Sequence, residues 1–333
     1  MEAIDVKEGW ERTEQQVSLD LRQINGIVRS AFQGTRVIGA ERLGIGLHNS
    51  NYKIHLDGKS DPLVLRLYSD TEGIADKELA LAERIRDTVP VADFLYVDTS
   101  CSSFDKPWAV MEWKAGIHLR DVLKAGTAQE IVSAATSVGT VLAQIHSYTF
   151  PAAGFLDRDL EIIQPFQMGG ELFLSIIGNS LFHNQGAKWL GDELTQELWS
   201  FCQSHSNELS DRKLSPVLVH SDFNGLNILM EPNAGDCTVT VSAVLDWEFA
   251  FSCSRYTDIG NILRYEEDGS LFEQHFISAY TAHGGVLEDN WKLLSKLEDL
   301  TSLCEMISHS TVNTPNRLRD LQSLIAKTVK LYR

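Results

Sequence analysis

The residue types with the most chemical meaning fall in one stretch, residues 217–230, VLVHSDFNGLNILM. An apolar strand there delivers His220, Ser221 and Asp222 to a turn, and Asn227 follows five residues after the aspartate. A second apolar run, VSAVLDWEF, leads into Asp246, nineteen residues after Asn227. Two strands thus present a carboxylate, a carboxamide and another carboxylate at their ends. Phosphoryl transfer needs these group types: a carboxylate to orient or deprotonate the attacking hydroxyl, and oxygen ligands for magnesium on the phosphates. Magnesium usually keeps several waters, so one aspartate and one asparagine are enough protein ligation.

Such groups need elements to position them. The first third of the chain reads as short strands over residues 36–43, 52–56 and 63–68, with a glycine-bearing turn at 44–51. Residues 74–86 (IADKELALAERIR) carry apolar side chains at helical spacing and stop before Pro90. Strands are expected again at 94–97 and 108–112. Beyond Trp113 helices dominate, at 119–123, 128–146, 171–177, 191–205, 291–308 and 317–331, with strands only near 217–219 and 239–245. The expectation is an α+β protein with a small strand-rich lobe over residues 1–113 and a larger, mainly helical lobe over 114–333.

Composition narrows the function classes. The 333 residues carry 46 acidic and 29 basic side chains, net −17, which argues against a nucleic-acid groove binder. The acidity is spread, −6 over residues 1–113 and −11 over 114–333, and serves solubility more than it points to a cationic ligand. No apolar run reaches the ~20 residues of a membrane span, and the N-terminus lacks the plan of a signal peptide. Five scattered cysteines without a CxxC pair argue against a disulfide framework or a zinc site. A cytoplasmic protein is expected.

In sequence order, GLHNSNY, LVLRLY, HSDFNGLN, LDWEF and SRYTDIGNILR resemble the signatures of the aminoglycoside phosphotransferase and choline kinase family, from about Gly44 to Arg264. The resemblance implies a two-lobed protein-kinase-like fold, with a small antiparallel-sheet N-lobe and a larger, mainly helical C-lobe. It also implies transfer of the γ-phosphoryl group of ATP, with Mg2+, to a hydroxyl of a small acceptor. On that resemblance Asp222 is the catalytic base, and Asn227 and Asp246 hold magnesium. Arg66 faces the nucleotide phosphates, braced by Glu78, in a role for which a planar guanidinium that stays charged is suited. Gly46, Asn49 and Ser50 belong to the phosphate-covering loop, and Glu112 and Trp113 meet adenine through backbone groups.

Other readings attach to single residues. His220 braces the loop or fills a core position, and Asp258 is a helix cap. His146 is a satisfied helix-end histidine. Glu248 is either a surface charge or an acceptor contact, and residues 266–268 (EED) are a solvated run. An aminoglycoside-like acceptor is favoured, with choline, another amino alcohol or another hydroxylated metabolite as the alternative. A nucleotide-binding module without catalysis is the competing class. A metal-dependent hydrolase lacks further histidine ligands, and a protein kinase lacks DFG and APE motifs.

Overall fold

The computed structural model describes residues 7, 9–12, 16–44, 48–69, 73–210 and 215–332. After α1 (Leu21–Ile27) come β1 (Val37–Leu43), β2 (Ser50–Leu56), β3 (Leu63–Leu67), α2 (Ile74–Ile85), β4 (Phe94–Asp98) and β5 (Trp108–Glu112). The five strands form one antiparallel sheet in the order β1-β2-β3-β5-β4. Tyr52, Ile54 and Leu56 alternate along β2 and are buried, as a two-residue period requires. They share a core with Ile24 and Ile27 of α1 and with Leu65, Trp108 and Val110. Ala109, on the other face, packs with Ala75 of α2. α1, not expected from the sequence, opens with a capping box between Asp20 and Gln23.

The rest of the chain runs β6 (Ile117–His118), α3 (Leu119–Ala125), α4 (Ala128–Ile145), β7 (Ala153–Leu156), β8 (Ile162–Phe166), α5 (Gly170–Gly178), α6 (Gly186–Leu190) and α7 (Asp192–His205). It continues through β9 (Val217–Val219), β10 (Ile228–Pro232), β11 (Val239–Val244), β12 (Phe251–Cys253), α8 (Tyr256–Ile262), α9 (Leu271–Ala282), α10 (Trp291–Ser308) and α11 (Pro315–Leu331). The helices are where the periodicity places them, and α6 and α9 are added. The expectation of only two strands here is corrected: among the described residues seven short ones form the sheets β11-β10-β6 and β8-β7-β12-β9. Strands of two to six residues are too short to show a period, so their pairing is set by neighbours distant in sequence. No helix among the described residues is long and apolar enough to cross a membrane.

The apolar stripe of α4 (Ala134, Ala135, Val138, Val141, Leu142, Ile145) is buried, and its N-terminus is fixed by a Thr127–Glu130 capping box. α4 lies so close to α9 that a Cβ on Gly139 would sit 2.3 Å from the Phe276 carbonyl oxygen and 3.1 Å from Ala279 Cβ. A rigid backbone oxygen cannot yield as a flexible side chain can. Gly139→Ala should therefore lower stability by about 1–3 kcal/mol, the usual cost of overpacking, as read by urea denaturation. An unchanged midpoint would mean that the two helices part freely.

Candidate active site

Asp222 follows β9 on a turn whose backbone is clamped from below. Ser221 adopts a left-handed conformation (φ 72°), which a non-glycine residue holds only against a cost of ~1–3 kcal/mol. The compensation comes from Asp258 in the first turn of α8. Its carboxylate accepts from the backbone N–H of His220 and of Ser221, both at 2.8 Å. The third contact of Asp258 is His146 Nε2 at 3.3 Å, while His146 Nδ1 meets the Tyr280 hydroxyl at 2.9 Å. Burial, outweighing the pull of Asp258, holds the His146 pKa below its ordinary value.

Asp258 is therefore not the helix cap that the sequence led us to expect. It lies inside α8 and is fully buried, and Arg255 holds the N-cap position. His220 braces the loop as expected. Its Nε2 donates to the Leu245 carbonyl at 2.8 Å, and its Nδ1 accepts from Asp222 N–H at 3.3 Å. The Leu245 N–H returns a 2.8 Å bond to the Asn227 carbonyl, so the two chemistry-bearing turns are stitched edge to edge.

The Asp222 carboxylate is held by two carboxamides. Asn224 Nδ2 donates to Oδ1 at 2.8 Å and Asn227 Nδ2 to Oδ2 at 2.9 Å. Burial pushes the Asp222 pKa up, but the Lys7 ammonium, then His220 and Arg264, hold it below the ordinary carboxylate value. Asn224 and Lys7 were not singled out from the sequence. Asn224 stands inside HSDFNGLN and was open to being read as a carboxylate donor, whereas nothing in the sequence around Lys7 signals its contact.

Arg66 forms the second centre. β3 places it 3.2 Å (Nη2) from Glu78 Oε1, in an ion pair with Asp246, and 3.8 Å from Glu248 Oε2. Burial alone would depress its pKa, but Glu78 and Asp246 raise it well above the usual value, so the guanidinium stays charged. Tyr68 donates to Glu78 Oε2 at 2.7 Å. Burial raises the Glu78 pKa against the pull of Arg66. The pairing of Arg66 with Glu78 is as expected. The contact with Asp246 is additional and couples the sheet to the segment after β11.

Glu248 is not the surface charge that one reading of the sequence offered. It is buried, accepts from Asn49 Nδ2 at 2.7 Å, and points into the Arg66 cluster. Burial first, and repulsion from Asp246 second, raise its pKa to about 8. Lys77 fastens the same segment to α2, donating to the carbonyls of Glu248 (2.8 Å) and Ala250 (3.1 Å). Of the EED run, Glu267 and Asp268 are exposed, while Glu266 is half-buried and accepts from Ser270 Oγ at 2.6 Å.

In the expected phosphate-covering loop, Gly46 lies outside the described residues. The amide of Asn49 is used within the protein at both ends, since its Oδ1 accepts from Ser69 N–H at 3.0 Å. Ser50 Oγ accepts from Val17 N–H at 3.0 Å. These two side chains anchor the loop. Glu112 N–H is bonded to the Asp93 carbonyl at 2.9 Å, and its carboxylate pairs with Lys114. The Trp113 ring sits under the Lys53 ammonium at 4.1 Å.

The donor set suits a hard cation on phosphates. With Nδ2 committed to Asp222, the amide of Asn227 has its oxygen left to offer, and the Asp246 side chain is 31% exposed on a left-handed turn (φ 70°). Among the described residues no three His, Cys, Asp or Glu side chains converge to hold a metal by themselves. A cation at this place needs oxygens from a bound phosphate as well, which is how magnesium is usually held.

A five-stranded sheet with a helical region, and an Asp–Asn–Asp set at the ends of β9, β10 and β11, is the plan of a phosphotransferase of kinase-like fold. The sequence matches the profile of the phosphotransferase enzyme family (APH) over residues 39–292, and the chain belongs to that family. No curated protein sequence matches it. Among solved structures it is similar to aminoglycoside phosphotransferase APH(4)-Ia, with 15% identity, TM-score 0.69, and coverage of 94% of this chain and 99% of that one. The GDP and kanamycin complex of APH(2")-IIIa is similar at 14% identity and TM-score 0.69, over 92% and 98% of the two chains. A putative fructosamine-3-kinase from Thermobifida fusca gives 15% identity and TM-score 0.57, over 91% and 98%.

The raised pKa of Glu248 has a sign that denaturation can read. Between the ordinary value of 4.5 and about 8 the native state holds a proton that the unfolded chain releases. Stability contributed by the neutral form is present at low pH and is lost as pH rises through that window. Glu248→Gln should abolish this loss, improving relative to the native sequence by at least about 1 kcal/mol between the acidic and alkaline ends of the window in urea titrations. Parallel profiles for the two proteins would contradict the burial of an unmet charge.

Proposed function

We propose that the chain is an ATP-dependent small-molecule kinase that transfers the γ-phosphoryl group to an alcohol, with Asp222 as base. The observation that carries the reading is the carboxylate of Asp222, oriented by Asn224 and Asn227 on a turn clamped by Asp258, next to the segment that bears Asp246. The acceptor hydroxyl approaches Asp222, which takes its proton as the oxygen bonds to the γ-phosphorus and the bond to the leaving ADP oxygen breaks. Asn227 and Asp246 would hold Mg2+, which, when bound, neutralises charge on the phosphates. Arg66, kept ionised by its carboxylates, holds Asp246 in place and sets positive charge toward the nucleotide.

Hydroxylated aminoglycosides are the first acceptors to test. Solved proteins of this fold include APH(4)-Ia with AMP-PNP and hygromycin B, and the kanamycin complex already described. The five dispersed cysteines fit a reducing, cytoplasmic setting.

ADP release measured with Mg–ATP across aminoglycosides, amino alcohols and sugars should identify an acceptor that becomes heavier by one phosphoryl group. With that acceptor, Asp222→Ala should bind ATP as before and lose ~10²–10⁴ in turnover, the usual contribution of a positioned base. Near-normal turnover in this variant would remove Asp222 from the chemistry.

A further inference from the structure

We propose that Lys7 is an internal substitute for the acceptor, whose ammonium occupies the base until an alcohol displaces it and so keeps water from being phosphorylated in its place. The inference rests on Asp222 being the base. Lys7 Nζ lies 2.9 Å from Asp222 Oδ1 and 3.1 Å from Oδ2, with 11% of the lysine side chain exposed. Asn224 and Asn227 already donate to the same two oxygens. A carboxylate has about four acceptor positions, and here all are taken. No hydroxyl can give Asp222 its proton while Lys7 stays.

The segment carrying Lys7 is held in this place by groups with no part in the chemistry. Glu11 caps α11, accepting from the backbone N–H of Asn316 at 2.9 Å and of Arg317 at 3.2 Å. Asn316 Nδ2 donates to the Gly9 carbonyl at 3.0 Å, and Trp10 Nε1 to Asp320 Oδ2 at 2.8 Å. Arg12 reaches the carbonyls of His48 (2.6 Å) and Asn49 (3.0 Å), beside the nucleotide loop. Lys7 itself takes a left-handed backbone (φ 48°) in a turn closed by Trp10 N–H on its carbonyl at 3.2 Å. In chain order the described residues 7 and 9–12 thus meet the base, then the start of α11, then the loop before β2, and the Lys7 ammonium sits on the one carboxylate that must be free for transfer.

The consequence is discrimination between acceptor and water. Water is small and binds without displacing the Lys7 segment, so it meets a base whose oxygens are filled. An acceptor with many contacts of its own can compete for the place. Removing the ammonium opens the base to water: the water oxygen bonds to the γ-phosphorus, the bond to the β,γ-bridging oxygen breaks with its electron pair leaving on ADP, and the proton passes to Asp222 and then to solvent.

The test uses the full chain with Mg–ATP and no acceptor. Lys7→Met should raise phosphate release about tenfold, as expected when a competing contact worth about 1.4 kcal/mol is lost. Lys7→Gln, which keeps a polar side chain without the charge, should show the same rise with unchanged Mg–ATP affinity. Methylammonium should refill the site and return the variant rate toward that of the native chain, while tetramethylammonium, which has no N–H, should not. Absence of a rise in both variants, or a rise that methylammonium leaves untouched, overturns the proposal. If the raised hydrolysis persists in the Lys7→Met/Asp222→Asn double variant, the base assignment fails instead.

Discussion

One buried guanidinium answers three carboxylates, and the arrangement of the site follows from that imbalance. Arg66 meets Glu78, Asp246 and Glu248 in a place from which water is largely removed. Three anions around one cation cannot all ionise in such surroundings without large cost. The burden falls on Glu78 and Glu248, whose pKa values rise. The cluster thus ties β3, α2 and the segment after β11 together while remaining short of positive charge. On the function proposed above, a nucleotide arriving with a divalent cation would supply what is missing, with Asn227 and Asp246 as the groups with oxygens to receive it.

The turn that carries Asp222 is built on a different principle. Asp222 projects from that turn, and the turn holds Ser221 in a strained conformation. The strain is held by a buried carboxylate, Asp258, taking two consecutive backbone N–H groups, with His146 and Tyr280 behind it. Charge-assisted bonds of this kind are about twice as strong as neutral ones. The close approach of α4 to α9 at Gly139 sets the spacing of those helices, which bear His146 and Tyr280 at their C-terminal ends. Helix packing and loop geometry are in this sense one system.

Much of this was legible where the partners are neighbours in sequence. HSDFNGLN and LDWEF announced the carboxylate and carboxamide set, and the pairing of Arg66 with Glu78 is a strand-to-helix contact only twelve residues apart. What could not be read depends on distant partners. Asp258 looks like a helix cap until His220 and Ser221, 38 and 37 residues away, are seen donating to it. Glu248 is two residues from Asp246 and gave no sign that Asn49 would reach it from the other end of the chain. Lys7 and Glu11 sit in an acidic, unpatterned N-terminal stretch, yet they contact Asp222 and the start of α11, more than 200 and 300 residues away. The short strands β6, β7, β8, β10 and β12 were invisible for a related reason: their register is chosen by the strands beside them.

The central claim, that the Arg66 cluster lacks a positive charge which a cation brings with the nucleotide, is tested most directly by calorimetry of ATP binding with and without Mg2+. The account predicts that removing Mg2+ weakens ATP binding by at least about tenfold, or about 1.4 kcal/mol. Equal affinity in the presence of a chelator would contradict it, because Arg66 would then suffice for the phosphates alone.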